Sequence, residues 1–275
     1  MANAVQTAQK ADADVLYGVE GHVATITLNR PERMNTISGP MLAQLTQRLL
    51  EADADRDVRV IILTGTGRAF CAGLDLTKAT RPSDKGGISV GASGAADLDL
   101  RNTPPTVLFN LGKPVICALN GSAAGYGMDT ALGCDIRIMA KSAKMAAAFT
   151  KRGVLPESGG TWFLPRLIGW SKAAELIFTG RTLTADECVE IGLASKVVPD
   201  AELPGVARSL ALEIAANAPL AVQASKRMMR MGLTETCNDH VHHVFLQLLP
   251  LFRSQDAAEG MKAFLEKRPA QFNGR

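Results

Sequence analysis

The sequence predicts an α/β fold: a parallel sheet interleaved with helices, then a helical C-terminal region. Three observations carry this. Residues 58–63, 115–119 and 136–139 are short, nearly continuous apolar runs, the pattern of strands buried on both faces. Helical patterns alternate with these runs, as in chains that build parallel sheets. After about residue 200 the runs stop, and four helical patterns follow at 203–216, 221–231, 236–249 and 257–267.

In chain order, residues 1–14 read as a frayed tail without a sustained apolar core. Along 15–28, Val23, Ile26 and Leu28 alternate with Thr25 and Thr27, and Gly21 interrupts the run; this predicts a strand hairpin. Met41, Leu42, Leu45 and Leu49 recur at helical spacing, so a helix begins near Pro40. Segment 77–105 holds Gly86, Gly87, Gly91, Gly94, Pro82, Pro104 and Pro105, which predicts a long loop shaping a pocket. A small-residue helix is expected at 126–132. In the third C-terminal pattern Cys237, Val241, Val244, Phe245 and Leu248 form one apolar stripe. The organisation expected is a tail (1–14), a core (15–200) and a helical region (201–275).

Composition narrows the function classes. Of the 275 residues, 47% are hydrophobic and 21% charged, enough apolar material for a sizeable core and inconsistent with disorder. The balance of 30 Lys+Arg against 27 Asp+Glu is too even to imply nucleic acid. Five cysteines, at 71, 117, 134, 188 and 237, form no C-x-x-C pair, so neither a zinc ribbon nor a disulfide framework is expected. A reducing, cytoplasmic setting follows. No run approaches the ~20 apolar residues of a membrane span.

Several motifs fail on inspection. Gly65-Thr-Gly67-Arg-Ala-Phe70 lacks the third glycine of a dinucleotide fingerprint. The glycines 121–127 are not followed by the Lys-Ser/Thr of a phosphate loop. None of the four histidines (22, 240, 242, 243) stands near a nucleophile in a triad-like pattern. His240 and His243 share a helical face, but a polar face explains them better than a metal does, and no metal is expected. Lys226-Arg227-Met-Met-Arg230 reads as a solvated helix face.

Two small-residue turns each follow a buried run: 69–75 (AFCAGLD) and 120–129 (NGSAAGYGMD). In open α/β sheets ligands bind beyond the carboxyl ends of the strands. The first N–H groups of a helix lack internal partners, so the turn at 125–127 can present a donor to an anion. A second donor near Ala72 would complete a two-donor oxyanion hole. Tight strand–helix packing explains one such turn as well. Nearby carboxylates are Asp75, Asp129, Asp135 and Glu157; Glu157 precedes a helix start and could simply complement it.

At this point the residues resemble a family. The segments 26–37 (ITLNRPERMNTI), 69–76 (AFCAGLDL), 113–121 (KPVICALNG), Gly125-x-Gly127, Cys134-Asp135-Ile136, 153–161 (GVLPESGGT) and 264–268 (FLEKR) resemble, in order, the crotonase (enoyl-CoA hydratase/isomerase) superfamily. The resemblance implies a spiral of ββα turns and a C-terminal helical region for trimer contacts, with trimers pairing into hexamers. It implies a coenzyme A thioester as substrate, no separate cofactor, and two backbone N–H groups for the enolate oxygen. By motif position those belong to Ala72 and Tyr126, where the family usually has Gly at the second. It also implies that Arg33 and Met34 flank the nucleotide end of CoA. Gly73, Leu74 and Asp75 would lie beside the pantetheine, and Phe264 and Lys267 would contact CoA near a subunit boundary.

The carboxylates depart from the family's hydratases. The place of the first Glu holds Asp129, and that of the second holds Phe149. Glu157 matches the single catalytic carboxylate of some isomerase relatives. The expectation is therefore an enoyl-CoA isomerase with Glu157 as principal acid/base and Asp129 tuning the pocket. The rivals are a hydratase using Asp129 and Glu157, other thioester chemistry, and a non-catalytic acyl-CoA-binding protein.

Overall fold

The computed structural model describes residues 13–75 and 102–275. Almost all of the expected tail and most of the expected 77–105 loop lie outside the described residues.

The hairpin forms as expected: β1 (Val15–Glu20) pairs antiparallel with β2 (Val23–Leu28), Glu20 facing Val23. The two-residue turn needs positive φ at both positions, and Gly21 (56°) and His22 (65°) supply it. Ser38 then caps α1 (Gly39–Ala54), its side chain accepting from the Met41 N–H. Met41, Leu45, Leu49 and Ala52 of α1 are buried.

The apolar runs become β3 (Val60–Gly65), β5 (Val115–Leu119) and β7 (Ile136–Ala140). They lie side by side in a six-stranded sheet of order β1-β2-β3-β5-β7-β10, with β10 at Lys196–Val198, parallel from β2 onward. Each is followed by a three-residue strand: β4 (Ala69–Cys71), β6 (Ser122–Ala124) and β8 (Lys144–Ala146). These assemble a second sheet, order β4-β6-β8-β9. A helix follows each pair: α2 (Pro104–Asn110), α3 (Tyr126–Leu132) and α4 (Gly160–Ile168). The chain thus winds through three ββα turns, with equivalent corners stacked one over another.

Between 170 and 198 the chain adds α5 (Trp170–Thr179), β9 (Thr182–Thr184), α6 (Ala185–Glu190) and β10 (Lys196–Val198). Four helices complete it: α7 (Leu203–Ala215), α8 (Pro219–Met231), α9 (Cys237–Phe252) and α10 (Gln255–Glu266). Helix α7 packs on β3, β5 and β7. The expected solvated face on α8 is not what forms. Lys226 is buried, its Nζ 2.7 Å from Asp135 Oδ2 and 2.8 Å from the Lys113 carbonyl. Arg230 donates to the Phe109 and Leu111 carbonyls. These cations tie α8 to the body by satisfying buried acceptors. On α9, His240 and His243 both meet the Glu235 carboxylate, at 3.0 and 2.9 Å. No residue of α9 is buried. All five cysteines are free. No helix among the described residues is long and apolar enough to cross a membrane.

Candidate active site

Strands β4 and β6 are parallel neighbours, so the turns that follow them, 72–75 and 125–127, meet at one corner of the spiral. Glycine makes this approach possible: a Cβ on Gly127 would collide with the Cys71 carbonyl. Asn35, fully buried, fixes the corner from behind. Its Nδ2 donates to the carbonyls of Thr66 (2.9 Å) and Ala69 (2.8 Å), and its Oδ1 accepts from the Arg30 N–H.

The backbone at 72–75 runs against 34–37. Ala72 N–H donates to the Met34 carbonyl (3.0 Å), Ile37 N–H to the Gly73 carbonyl (2.9 Å), and Asp75 N–H to the Ile37 carbonyl (2.9 Å). This corrects the expectation for Ala72: its amide is already committed and is not a free oxyanion donor. Successive amides of an extended segment point to opposite sides. The Leu74 N–H therefore points away from Ile37, and it has no acceptor among the described residues. Gly73, at φ 110°, carries this segment past the start of α3, where a Cβ would stand 3.9 Å from Tyr126 N. At α3, Gly125 (φ 53°) donates to the Ala146 carbonyl and accepts from Asp129 N–H; the Tyr126 N–H has no acceptor among the described residues. Two unused amides, of Leu74 and Tyr126, thus flank one corner. Sequence reasoning placed the first of them two residues early. The signal that locates it is the alternation of the 34–37 ladder.

Asp129 lies one helical turn beyond the Tyr126 amide. It is 1% exposed, and among the described residues no donor meets either carboxyl oxygen in full hydrogen-bond geometry. Burial, and then the charge of Glu157, push its pKa up to about 7; the backbone N–H groups of Gly160 and Ser158 pull the other way. Glu157 is exposed, in the loop leading into α4, with Ser158 Oγ 3.5 Å from its Oε1. The edge-on cluster of Phe109, Trp162 and Phe163, with centroids 5.1–5.5 Å apart, holds α4 beside α2. The structure therefore brings Tyr126, Asp129 and Glu157 together. Asp135, by contrast, is occupied by Lys226 and by the Val115 N–H.

Phe149 is buried, its ring 3.9 Å from where a Gly125 Cβ would be. An apolar ring thus stands beside the turn that presents the Tyr126 amide. The Tyr126 side chain points inward: the residue is 4% exposed, and its hydroxyl is buried with no partner at hydrogen-bond distance among the described residues. Burial is the main cause that raises the phenol pKa, and the neighbouring Cys71, Glu157 and Asp129 add to it while Thr103 opposes it.

The residues expected to hold CoA fall into two places. Arg33 and Met34 are exposed, Met34 at φ 52°, on the strip paired with Gly73, Leu74 and Asp75. Leu74 is exposed, whereas the Asp75 carboxylate meets Arg30 at 3.2 Å. Phe264 and Lys267 are exposed at the end of α10 and make no side-chain hydrogen bond to that strip.

Comparison with known proteins gives the family. The enoyl-CoA hydratase/isomerase family profile matches residues 18–275. The chain is 40% identical to a 1,2-epoxyphenylacetyl-CoA isomerase of Escherichia coli, over 95% of this chain and 98% of that one. It is 35% identical to a short-chain-enoyl-CoA hydratase of Clostridium acetobutylicum, over 93% and 95% of the two chains. It superposes on the crystal structure of an enoyl-CoA hydratase from Bacillus anthracis with TM-score 0.87 and 34% identity, covering 96% of this chain and all (100%) of that one. With the spiral of ββα turns and its stacked corners, these matches make the chain an enzyme of the enoyl-CoA hydratase/isomerase family, within the crotonase superfamily.

Proposed function

We propose that the protein is an enoyl-CoA isomerase that shifts a double bond along an acyl-CoA. The thioester oxygen is held by the N–H groups of Leu74 and Tyr126, which stabilise the enolate as it forms. The Glu157 carboxylate takes a proton from the carbon beside the thioester. The electron pair moves onto the oxygen, and the same carboxyl returns the proton two carbons further along. Asp129, held at a pKa near neutrality, limits the charge beside Glu157 and keeps the pair from ionising fully together.

The observation that carries this reading is Phe149. Hydration must orient a water as well as move a proton, and a buried phenyl ring beside Gly125 offers water no partner. The 1,2-epoxyphenylacetyl-CoA isomerase relative supports the same direction. Hydration by Asp129 and Glu157 draws on one observation, the electrostatic contact between the two carboxyls. A non-catalytic acyl-CoA binder would gain nothing from a carboxyl buried without full hydrogen bonding, which costs stability. Turnover of a 3-enoyl-CoA and a 2-enoyl-CoA separates these readings. Conversion of the first to a 2-enoyl product supports isomerisation. Addition of water to the second, without the first reaction, supports hydration, and no turnover of either supports the binder.

The CoA moiety is proposed to lie along Arg33, Met34, Gly73, Leu74 and Asp75, with Phe264 and Lys267 closing over it in the assembled protein. The assembly proposed is a homotrimer or a dimer of trimers, because the apolar side of α9 has no cover among the described residues. Free thiols at all five cysteines support a reducing cytoplasmic setting.

A further inference from the structure

Tyr126 has two polar groups, and only the backbone one has a task in the reaction just proposed. The side chain is anchored on the residue whose amide faces the thioester oxygen in that reading, and the Glu157 and Asp129 carboxyls are both near its hydroxyl. A buried tyrosine hydroxyl ordinarily finds a partner. This one has no partner at hydrogen-bond distance among the described residues, and only the Thr103 side chain comes near enough to favour its ionised form. Thr103 is engaged elsewhere, its Oγ1 lying 3.4 Å from Thr106 Oγ1. Asp129 and Glu157 lie close enough for their charges to favour the protonated phenol, so the group is a donor throughout the neutral range. A site that buries an unpaired donor is arranged for an acceptor that arrives with the ligand.

We propose that Tyr126 Oη donates a hydrogen bond to the acyl group, and that the preferred substrate carries an acceptor oxygen in its acyl chain (a carbonyl, hydroxyl or ether) rather than a plain hydrocarbon. This deepens the isomerase reading and rests on it for the placing of the thioester. The ring of Tyr126 fills space as any aromatic would. The hydroxyl alone distinguishes recognition from packing, so the conservative change to phenylalanine isolates it. Sites built to pair a substrate polar group discriminate strongly against analogues that lack it.

The test is a panel of 3-enoyl-CoAs in which successive chain methylenes are replaced by an ether oxygen. For each, kcat/KM is divided by the value for the all-carbon parent, and the ratio is compared between wild type and Tyr126→Phe. Because a ratio is read, any general change in activity cancels. The expectation is a wild-type ratio above one at one oxygen position, falling by roughly 10–100-fold in the phenylalanine variant, the span of one good hydrogen bond. A wild-type ratio at or below one at every position, or one that survives Tyr126→Phe, overturns the proposal. Dissociation constants of the matching saturated acyl-CoAs give the same ratio without turnover. If that binding ratio falls in the variant while neither protein isomerises anything, the recognition stands and the isomerase reading fails.

Discussion

Gly160 lies so close to Asp129 that a Cβ on it would collide with Oδ1 of the carboxyl. The glycine at the start of α4 is thus what leaves room for a buried acid one helical turn beyond the Tyr126 amide. Gly160→Ala forces either the carboxyl or the helix to move. Overpacking of this kind costs about 1–3 kcal/mol. The expected result is a lower melting temperature together with a loss of kcat no larger than that of Asp129→Asn, since Asp129 tunes the pocket and does not itself move the proton. Wild-type kcat in the alanine variant would show that the position of Asp129 is immaterial.

The elevated pKa of Asp129 makes a statement about stability. In the unfolded chain the group ionises near 3.8, and in the fold near 7. Between those values the native state holds the extra proton, so stability is full below about pH 4 and declines as pH rises to about 7. At 1.36 kcal/mol per pH unit the decline is on the order of 4 kcal/mol. Asp129→Asn lacks this term. Its melting temperature should therefore rise relative to wild type between pH 4 and pH 8. A difference between the two proteins that does not change with pH would contradict the burial argument.

Ala72 and Leu74 exchange roles relative to the motif-based expectation, and proline tests it because it removes an amide donor. Ala72→Pro deletes the bond to the Met34 carbonyl and should lower the melting temperature. Leu74→Pro deletes an amide with no acceptor among the described residues. It should leave melting closer to wild type while lowering kcat by about 10²–10³, the effect of losing one oxyanion donor. The reverse pattern would return the donor to Ala72.

Helix α9 leaves Val241 61%, Phe245 54% and Phe252 68% exposed. An apolar face of this kind on a folded chain is expected to be covered. Sedimentation at micromolar concentration should find a trimer or hexamer, and Phe245→Glu should shift the population toward monomer. A wild-type monomer would remove the assembly.

The ββα body was legible because its long strands are buried on both faces and leave unbroken apolar runs: β3, β5 and β7 each fall where such a run predicts. The three-residue strands β4, β6 and β8 are too short to leave a periodicity, and they became visible only through their pairing. The strands β9 and β10 were missed for the same reason, being three residues each. Glu157 and Asp129 could be named from the sequence, but not their environments. Burial of Asp129 comes from Gly160, thirty-one positions away, and from the loop that carries Glu157. Which amide is free at 72–75 depends on bonds to Met34 and Ile37, nearly forty residues upstream. Lys226 misled because its Asp135 partner is distant in sequence, so a buried cation looked like a solvated one.

The central claim is that Glu157 moves the proton and Asp129 sets its surroundings. Isomerisation of a 3-enoyl-CoA by Glu157→Gln and by Asp129→Asn, measured side by side, tests it most directly. The account predicts that Glu157→Gln lowers kcat by at least ~10²-fold, the lower end of general-base effects, while Asp129→Asn costs much less and abolishes any residual hydration. Loss of isomerisation in Asp129→Asn with Glu157→Gln largely active would contradict it and exchange the two roles.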